Sequence, residues 1–215
     1  MLLNILQNPI ETILFILALI VAITFHEFSH AWTANKLGDP TPKLQGRISL
    51  NPLAHLDPVG SIFLLIAGFG WGKPVITDPR HYRRPAIDFA ITSLAGPAAN
   101  LILAFFSSLP GTMAIILGYN IDNNVIIQFT EILLNANLLL LIFNLLPIYP
   151  LDGSKLVMAL IKNPVSLRRY MIWGPRLLFI LLIIHIWYPI LWWLFIFVFG
   201  IFQYLLRGLP VSIFT

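Results

Sequence analysis

Residues 10–37 read IETILFILALIVAITFHEFSHAWTANKL, and this stretch decides the fold. After Glu11 and Thr12 its first half is an apolar run. At 1.5 Å per helical residue the whole stretch can cross about 30 Å of hydrocarbon with a turn to spare. Gly38-Asp39-Pro40 follows and stops the helix. The second half carries His26-Glu27-Phe28-Ser29-His30. Four residues apart on a helix, His26 and His30 share one face. Two imidazoles so placed can bind one Zn2+, with Glu27 beside them to take a proton from water. The motif therefore predicts hydrolytic metal chemistry, and its setting predicts that this chemistry is done in a membrane.

The composition agrees. Of 215 residues, 58% are hydrophobic and only 10% charged, against about 25% charged in a soluble globular domain. The bilayer is the expected solvent. The net charge of +4 is read as membrane topology rather than nucleic-acid binding, because the cations alternate with long apolar segments. The absence of cysteine rules out disulfides and thiolate ligands, leaving His, Asp and Glu. No Lys or Arg precedes Lys36, so a signal peptide is not expected.

Further spans are expected over about 86–109 and 131–149. The apolar stretch 171–206 is too long for one span and is expected to fold as a hairpin at Tyr188-Pro189. Residues 59–71 are apolar but short and carry Gly60, Gly68 and Gly70, which suits a re-entrant segment better than a crossing. Arg47-Ile48-Ser49-Leu50 alternates like a short strand. The expected fold is an all-α polytopic membrane protein. It has about five to six transmembrane helices, with a short re-entrant or β-hairpin element after the first. Residues 1–215 are expected to form a single integral-membrane metalloprotease domain. All 13 basic residues fall within 36–84, within 155–176 or at 207. Cationic loops stay cytoplasmic, so five spans place the N-terminus outside and the C-terminus in the cytoplasm. The motif and Asp152 then lie at the same depth.

A catalytic zinc needs a third protein ligand and an open position. Asp152 is the strongest candidate. It follows two prolines, Pro147 and Pro150, that break the third span, and carboxylates at membrane depth are costly and usually functional. Glu27 is the candidate general base, and later the donor to the leaving amine.

Three motifs together resemble the site-2 protease family, the intramembrane zinc metalloproteases of peptidase family M50. These are His-Glu-x-x-His at 26–30, Gly-Pro-x-x-Asn at 96–100 and Asn-Leu-Leu-Pro-x-x-Pro-Leu-Asp-Gly at 144–153. Asn-Pro-Leu-Ala-His-Leu-Asp-Pro at 51–58 and Trp-Gly-Lys-Pro-Val at 71–75 resemble the compact branch that lacks a PDZ domain. The resemblance implies one Zn2+ per chain on His26, His30 and Asp152, with Glu27 as base. It also implies cleavage of membrane-spanning protein or peptide substrates near the cytoplasmic face. The expected location is the cell membrane of a prokaryote, with the lipid bilayer as a partner and no nucleic acid.

Plainer readings stand beside these. Asp152 could cap the helix after Pro150. Asn100 could bond an oxyanion or substrate backbone, or simply link helices. Asn144 has the same two readings, or could stabilise the Pro147 break. His55 could face substrate, with structural hydrogen bonding favoured. A membrane transporter could use the same ligands, but no repeated halves are visible and Glu27 would then serve nothing. A non-proteolytic relative that binds membrane helices would not need Glu27 either.

Overall fold

The computed structural model describes residues 8–67, 71–119, 124–188 and 190–207. Helix α1 spans Pro9–Lys36. Pro9 opens it where a missing N–H costs nothing, and Glu11 and Lys36 oppose the helix dipole at the two ends. Gly38, at φ 113°, ends it in the left-handed region; a Cβ there would also stand 3.0 Å from the His81 carbonyl oxygen. A single turn, α2 (Thr41–Leu44), follows, and α3 is Pro58–Ala67.

Helix α4 (Pro85–Ile116) starts at a proline, and Asp88 reaches back to accept from the Arg84 N–H at 2.9 Å. It carries Pro97 and Pro110 internally. Asn124 caps α5 (Val125–Leu145) by accepting from the N–H groups of Ile126 and Ile127. Pro147 and Pro150 stop α5, and α6 (Asp152–Leu160) begins at Asp152. Helices α7 (Pro164–Trp187) and α8 (Ile190–Arg207) complete the chain.

Helices α1, α4 and α5 pack against one another, with α6 against α4 and α5. Phe195 and Phe199 of α8 stack at 5.6 Å and join Ala104, Leu134 and Leu138 in the apolar core. Most of the remaining apolar bulk faces outward: Ile10, Ile102, Phe106, Phe179 and Trp193 are all more than half exposed. Water would not tolerate so continuous an apolar surface, whereas lipid solvates it without cost.

The expected all-helical membrane architecture stands. By length and composition α1, α4 and α5 can each cross a bilayer. Helices α7 and α8, bent by 85° where a hairpin was expected, make at most a fourth span if counted together. The expected total of five to six spans is thus somewhat high, because it counted each half of the bent pair. Residues 1–7, Gly68, Gly70 and Pro189, named in the sequence reading, lie outside the described residues.

The described residues contain no strand, so residues 47–50 correct that expectation. Arg47 points its guanidinium at three carbonyls instead, which leaves the alternation without a partner edge. Among the described residues one β-bridge forms, joining Leu56 to Gly72. The segment between them therefore leaves and returns at the same level, as a re-entrant element does, and its ten-residue helix, about 15 Å long, could not cross the bilayer.

Candidate metal centre

His26 and His30 lie on the inward face of α1, each 5% exposed. His26 Nε2 and His30 Nε2 are 3.0 Å apart. Asp152 Oδ2 is 3.1 Å from the first and 3.0 Å from the second. Asp152 reaches them because α6 starts directly against the broken end of α5. Gly153 makes that approach possible: a Cβ there would lie 2.6 Å from the Leu145 carbonyl carbon and 2.8 Å from the Leu146 carbonyl oxygen.

The other nitrogen of each imidazole is occupied. His26 Nδ1–H donates to Asn100 Oδ1 at 2.6 Å, and His30 Nδ1–H donates to the Thr92 carbonyl at 2.7 Å. With both protons on Nδ1, both Nε2 atoms present lone pairs to each other and to the carboxylate. Three electron-rich atoms within about 3 Å repel unless a cation lies among them. Tetrahedral bonds of about 2.0–2.1 Å would set ligand atoms roughly 3.3 Å apart, close to the observed triangle. His26, His30 and Asp152 form the one such cluster among the described residues. The donor set suits zinc: two neutral imidazoles, one carboxylate and no thiolate.

Lys155 was seen in the sequence only as a loop cation. Its Nζ donates to Asp152 Oδ1 at 3.0 Å, leaving Oδ2 for the cluster. Gly96 lies directly over the imidazoles: a Cβ on it would stand 2.6 Å from His26 Cε1 and 2.7 Å from His26 Nε2.

Glu27 follows His26 on α1 and faces the 73–75 segment. Its Oε2 accepts from the Val75 N–H at 3.0 Å. The segment that supplies Val75 is tied down by two contacts. Lys73 N–H donates to the His55 carbonyl at 2.7 Å. Buried Arg47 donates to the carbonyls of Ala54, Lys73 and Pro74. Burial pulls the Arg47 guanidinium below its ordinary pKa, while the Glu27 carboxylate acts in the opposite direction. Farther along the same loop, hydrogen bonds from Arg80 bring the Asp78 carboxyl down to about 2. Burial pushes the Tyr82 phenol up.

His26 and Glu27 line one end of an apolar cavity of about 550 Å³. Trp71, Asn144 and, from α8, Trp192 and Phe195 also line it. Of Asn100, Asn144 and His55, Asn144 lines this space; its Nδ2 donates to the Leu140 carbonyl, one turn back. Asn100, read either as an oxyanion group or as a link between helices, lies between helices here. It is fully buried and both amide hydrogens are taken, by Asn137 and by the Ala22 carbonyl, so neither remains for a substrate. His55 is likewise fully buried, with Nε2 on the Ser49 carbonyl at 2.7 Å, and belongs to the loop framework. Asn137 was missed by sequence reading; its signal was a pair of amides, Asn135 and Asn137, inside an apolar span.

Comparison with known proteins places this geometry. The family model described as peptidase family M50 matches residues 106–184, which include Asp152 but not the His-Glu-x-x-His motif. A Bacillus subtilis (strain 168) protein, provisionally named zinc metalloprotease YwhC, is 41% identical over 155 residues, 70% of this chain and 70% of its own length. Two mycobacterial proteins share the provisional name zinc metalloprotease Rip2. That of Mycolicibacterium smegmatis is 36% identical over 97 residues, 43% of this chain and 37% of its own. That of Mycobacterium tuberculosis (strain H37Rv) is 33% identical over 138 residues, 62% of this chain and 52% of its own. No solved structure matches the chain significantly. With that identity over that share of the B. subtilis protein, the chain belongs to peptidase family M50.

Proposed function

We propose that this zinc metalloprotease works within the bilayer as a single domain, hydrolysing peptide bonds of membrane-spanning substrates near the cytoplasmic face. His26, His30 and Asp152 would hold one zinc ion, and Glu27 is the general base. One observation carries the reading: three lone-pair atoms converge within 3.1 Å, with Glu27 on the adjoining residue and an apolar cavity beside both. When bound, zinc supplies Lewis acidity, making water nucleophilic near neutral pH and polarising the peptide carbonyl.

Glu27 takes the proton from the attacking water and returns it to the leaving nitrogen. Val75 N–H and the loop behind it hold the carboxylate for this work. The cavity accepts apolar side chains of a substrate segment that has unwound to expose its backbone. Residues 73–76, although not a strand, run beside Glu27, which Val75 N–H touches, and an unwound substrate could lie along them. The names of the B. subtilis and mycobacterial relatives support zinc and proteolysis.

The charge pattern supports the orientation. With three crossing helices and the N-terminus outside, residues 36–84 and 155–176 share the cytoplasmic side. A re-entrant α7–α8 pair would return Arg207 to that side as well. This fits the plasma membrane of a prokaryote.

The test is Glu27→Gln in purified full-length protein. It should keep zinc at one per chain while cleavage of a membrane-spanning peptide in detergent falls by about 10²–10⁴-fold. Normal cleavage by that variant would sink the assigned mechanism.

A further inference from the structure

A row of amides runs through the bundle from α5 to the metal-binding face. Asn137 and Asn100 are both 0% exposed. Asn137 Nδ2 donates to the Leu133 carbonyl at 2.8 Å, and Asn137 Oδ1 accepts from Asn100 Nδ2 at 2.7 Å. The second Nδ2 hydrogen of Asn100 reaches the Ala22 carbonyl at 3.3 Å, and Asn100 Oδ1 accepts from His26 Nδ1 at 2.6 Å.

This row has one consistent direction. The carbonyls of Leu133 and Ala22 can only accept. Asn137 must therefore show its oxygen to Asn100, and Asn100 must show its oxygen to His26. His26 must then carry its proton on Nδ1, which leaves Nε2 bare. An Asn100 amide turned the other way would offer N–H to Nδ1. The imidazole proton would move to Nε2, and a protonated Nε2 cannot ligate a metal.

We propose that Asn137, which reaches none of the metal-binding atoms itself, is a positioning residue for the metal. Its side-chain oxygen fixes the orientation of the Asn100 amide, and Asn100 fixes the ligating tautomer of His26. Of the two acceptors that hold Asn100 Nδ2, Asn137 is the closer. Without it, one N–H of Asn100 has no acceptor in an apolar interior, and the flipped amide competes with the productive one. The inference rests on His26 being a zinc ligand.

The experiment measures zinc affinity by chelator competition on the full chain in detergent, with the visible spectrum of the Co2+-loaded protein as a second readout. Asn137→Leu, of similar shape but without an acceptor, should weaken zinc binding about 10–100-fold and shift the cobalt bands. Asn137→Asp, which keeps an acceptor oxygen, should remain within about threefold of the parent. In an Asn100→Asp background both carboxylate oxygens accept, orientation ceases to matter, and adding Asn137→Leu should cost less than about threefold. Zinc affinity within about twofold of the parent and an unchanged cobalt spectrum for Asn137→Leu overturn the proposal. An equal loss in both backgrounds also overturns it, since that is what a packing role alone produces. If Asn137→Leu does not fold, Asn137→Ala takes its place with the same expectations. A His26→Ala control separates the two levels: if it binds zinc like the parent, the ligand assignment itself has failed.

Discussion

Replacing Gly96 by alanine should empty the metal centre while leaving the helices assembled. The new Cβ would stand 2.6 Å from His26 Cε1 and 2.7 Å from His26 Nε2, and closer still to His30 Nε2. Ordinary contact begins near 3.4 Å, so ring or helix must give by about 0.8 Å or more, beyond the ±0.2 Å within which metal–ligand distances vary. The rings cannot swing freely, because Asn100 and the Thr92 carbonyl hold each Nδ1. Helix α4 cannot withdraw freely either, because it packs along both α1 and α5. The overpacking itself should cost about 1–3 kcal/mol, which a bundle of this size can survive. Zinc affinity should fall by about 100-fold, at the upper end of what disturbed ligand geometry costs. The assay is zinc content per chain after gel filtration, with chelator competition for affinity and helical circular dichroism to show that the fold persists. A Gly96→Ala protein that binds zinc and cuts peptide like the parent would refute the close approach of Gly96 to both imidazoles.

Lys155→Met removes the cation on Asp152 Oδ1 and should weaken zinc by about tenfold, read by the same chelator competition; an unchanged affinity would show that Asp152 needs no support from that side. Arg47→Lys cannot reach all three carbonyls that the guanidinium serves. It should lower stability by about 2 kcal/mol in a detergent melt, and raise KM more than it lowers kcat if the 73–75 loop helps to seat substrate. Hydrogen bonds to Arg80 lower the folded pKa of Asp78 to about 2 from 3.8, so its contribution is present at neutral pH and is lost as pH falls from about 4 to 2. Asp78→Asn should flatten the melting temperature over that window, and an identical profile would contradict the contact.

Much of the site was legible because its chemistry is written in residue types that a membrane excludes. His26, Glu27, His30 and Asp152 stand out against apolar surroundings, and desolvation makes such residues too costly to keep without use. Two helix ends were legible for a local reason: Gly38 and the Pro147–Pro150 pair act through their own backbone or a near neighbour. The expected spans 86–109 and 131–149 missed the ends at Ile116 and Val125. Residues 47–50 misled because alternation predicts a strand only where an edge exists to pair with, and Arg47 is committed to carbonyls from two loops instead. Asn100 was ambiguous because an amide both donates and accepts, and only its neighbours decide which end faces what.

The sequence alone therefore determined the solvent, the main helices and the candidate metal-binding side chains, since composition, periodicity and 3.6-residue spacing are local properties. Tertiary packing decided the rest. Helix α6 starts against the end of α5 because Gly153 has no Cβ, and so Asp152 Oδ2 meets two nitrogens that lie more than 120 residues away in the chain. The Thr92 carbonyl holds His30 through a main-chain atom that no residue type reveals. Asn137 orients Asn100 across two helices. Such contacts depend on the distance and direction between helices, and those are set by how whole faces pack.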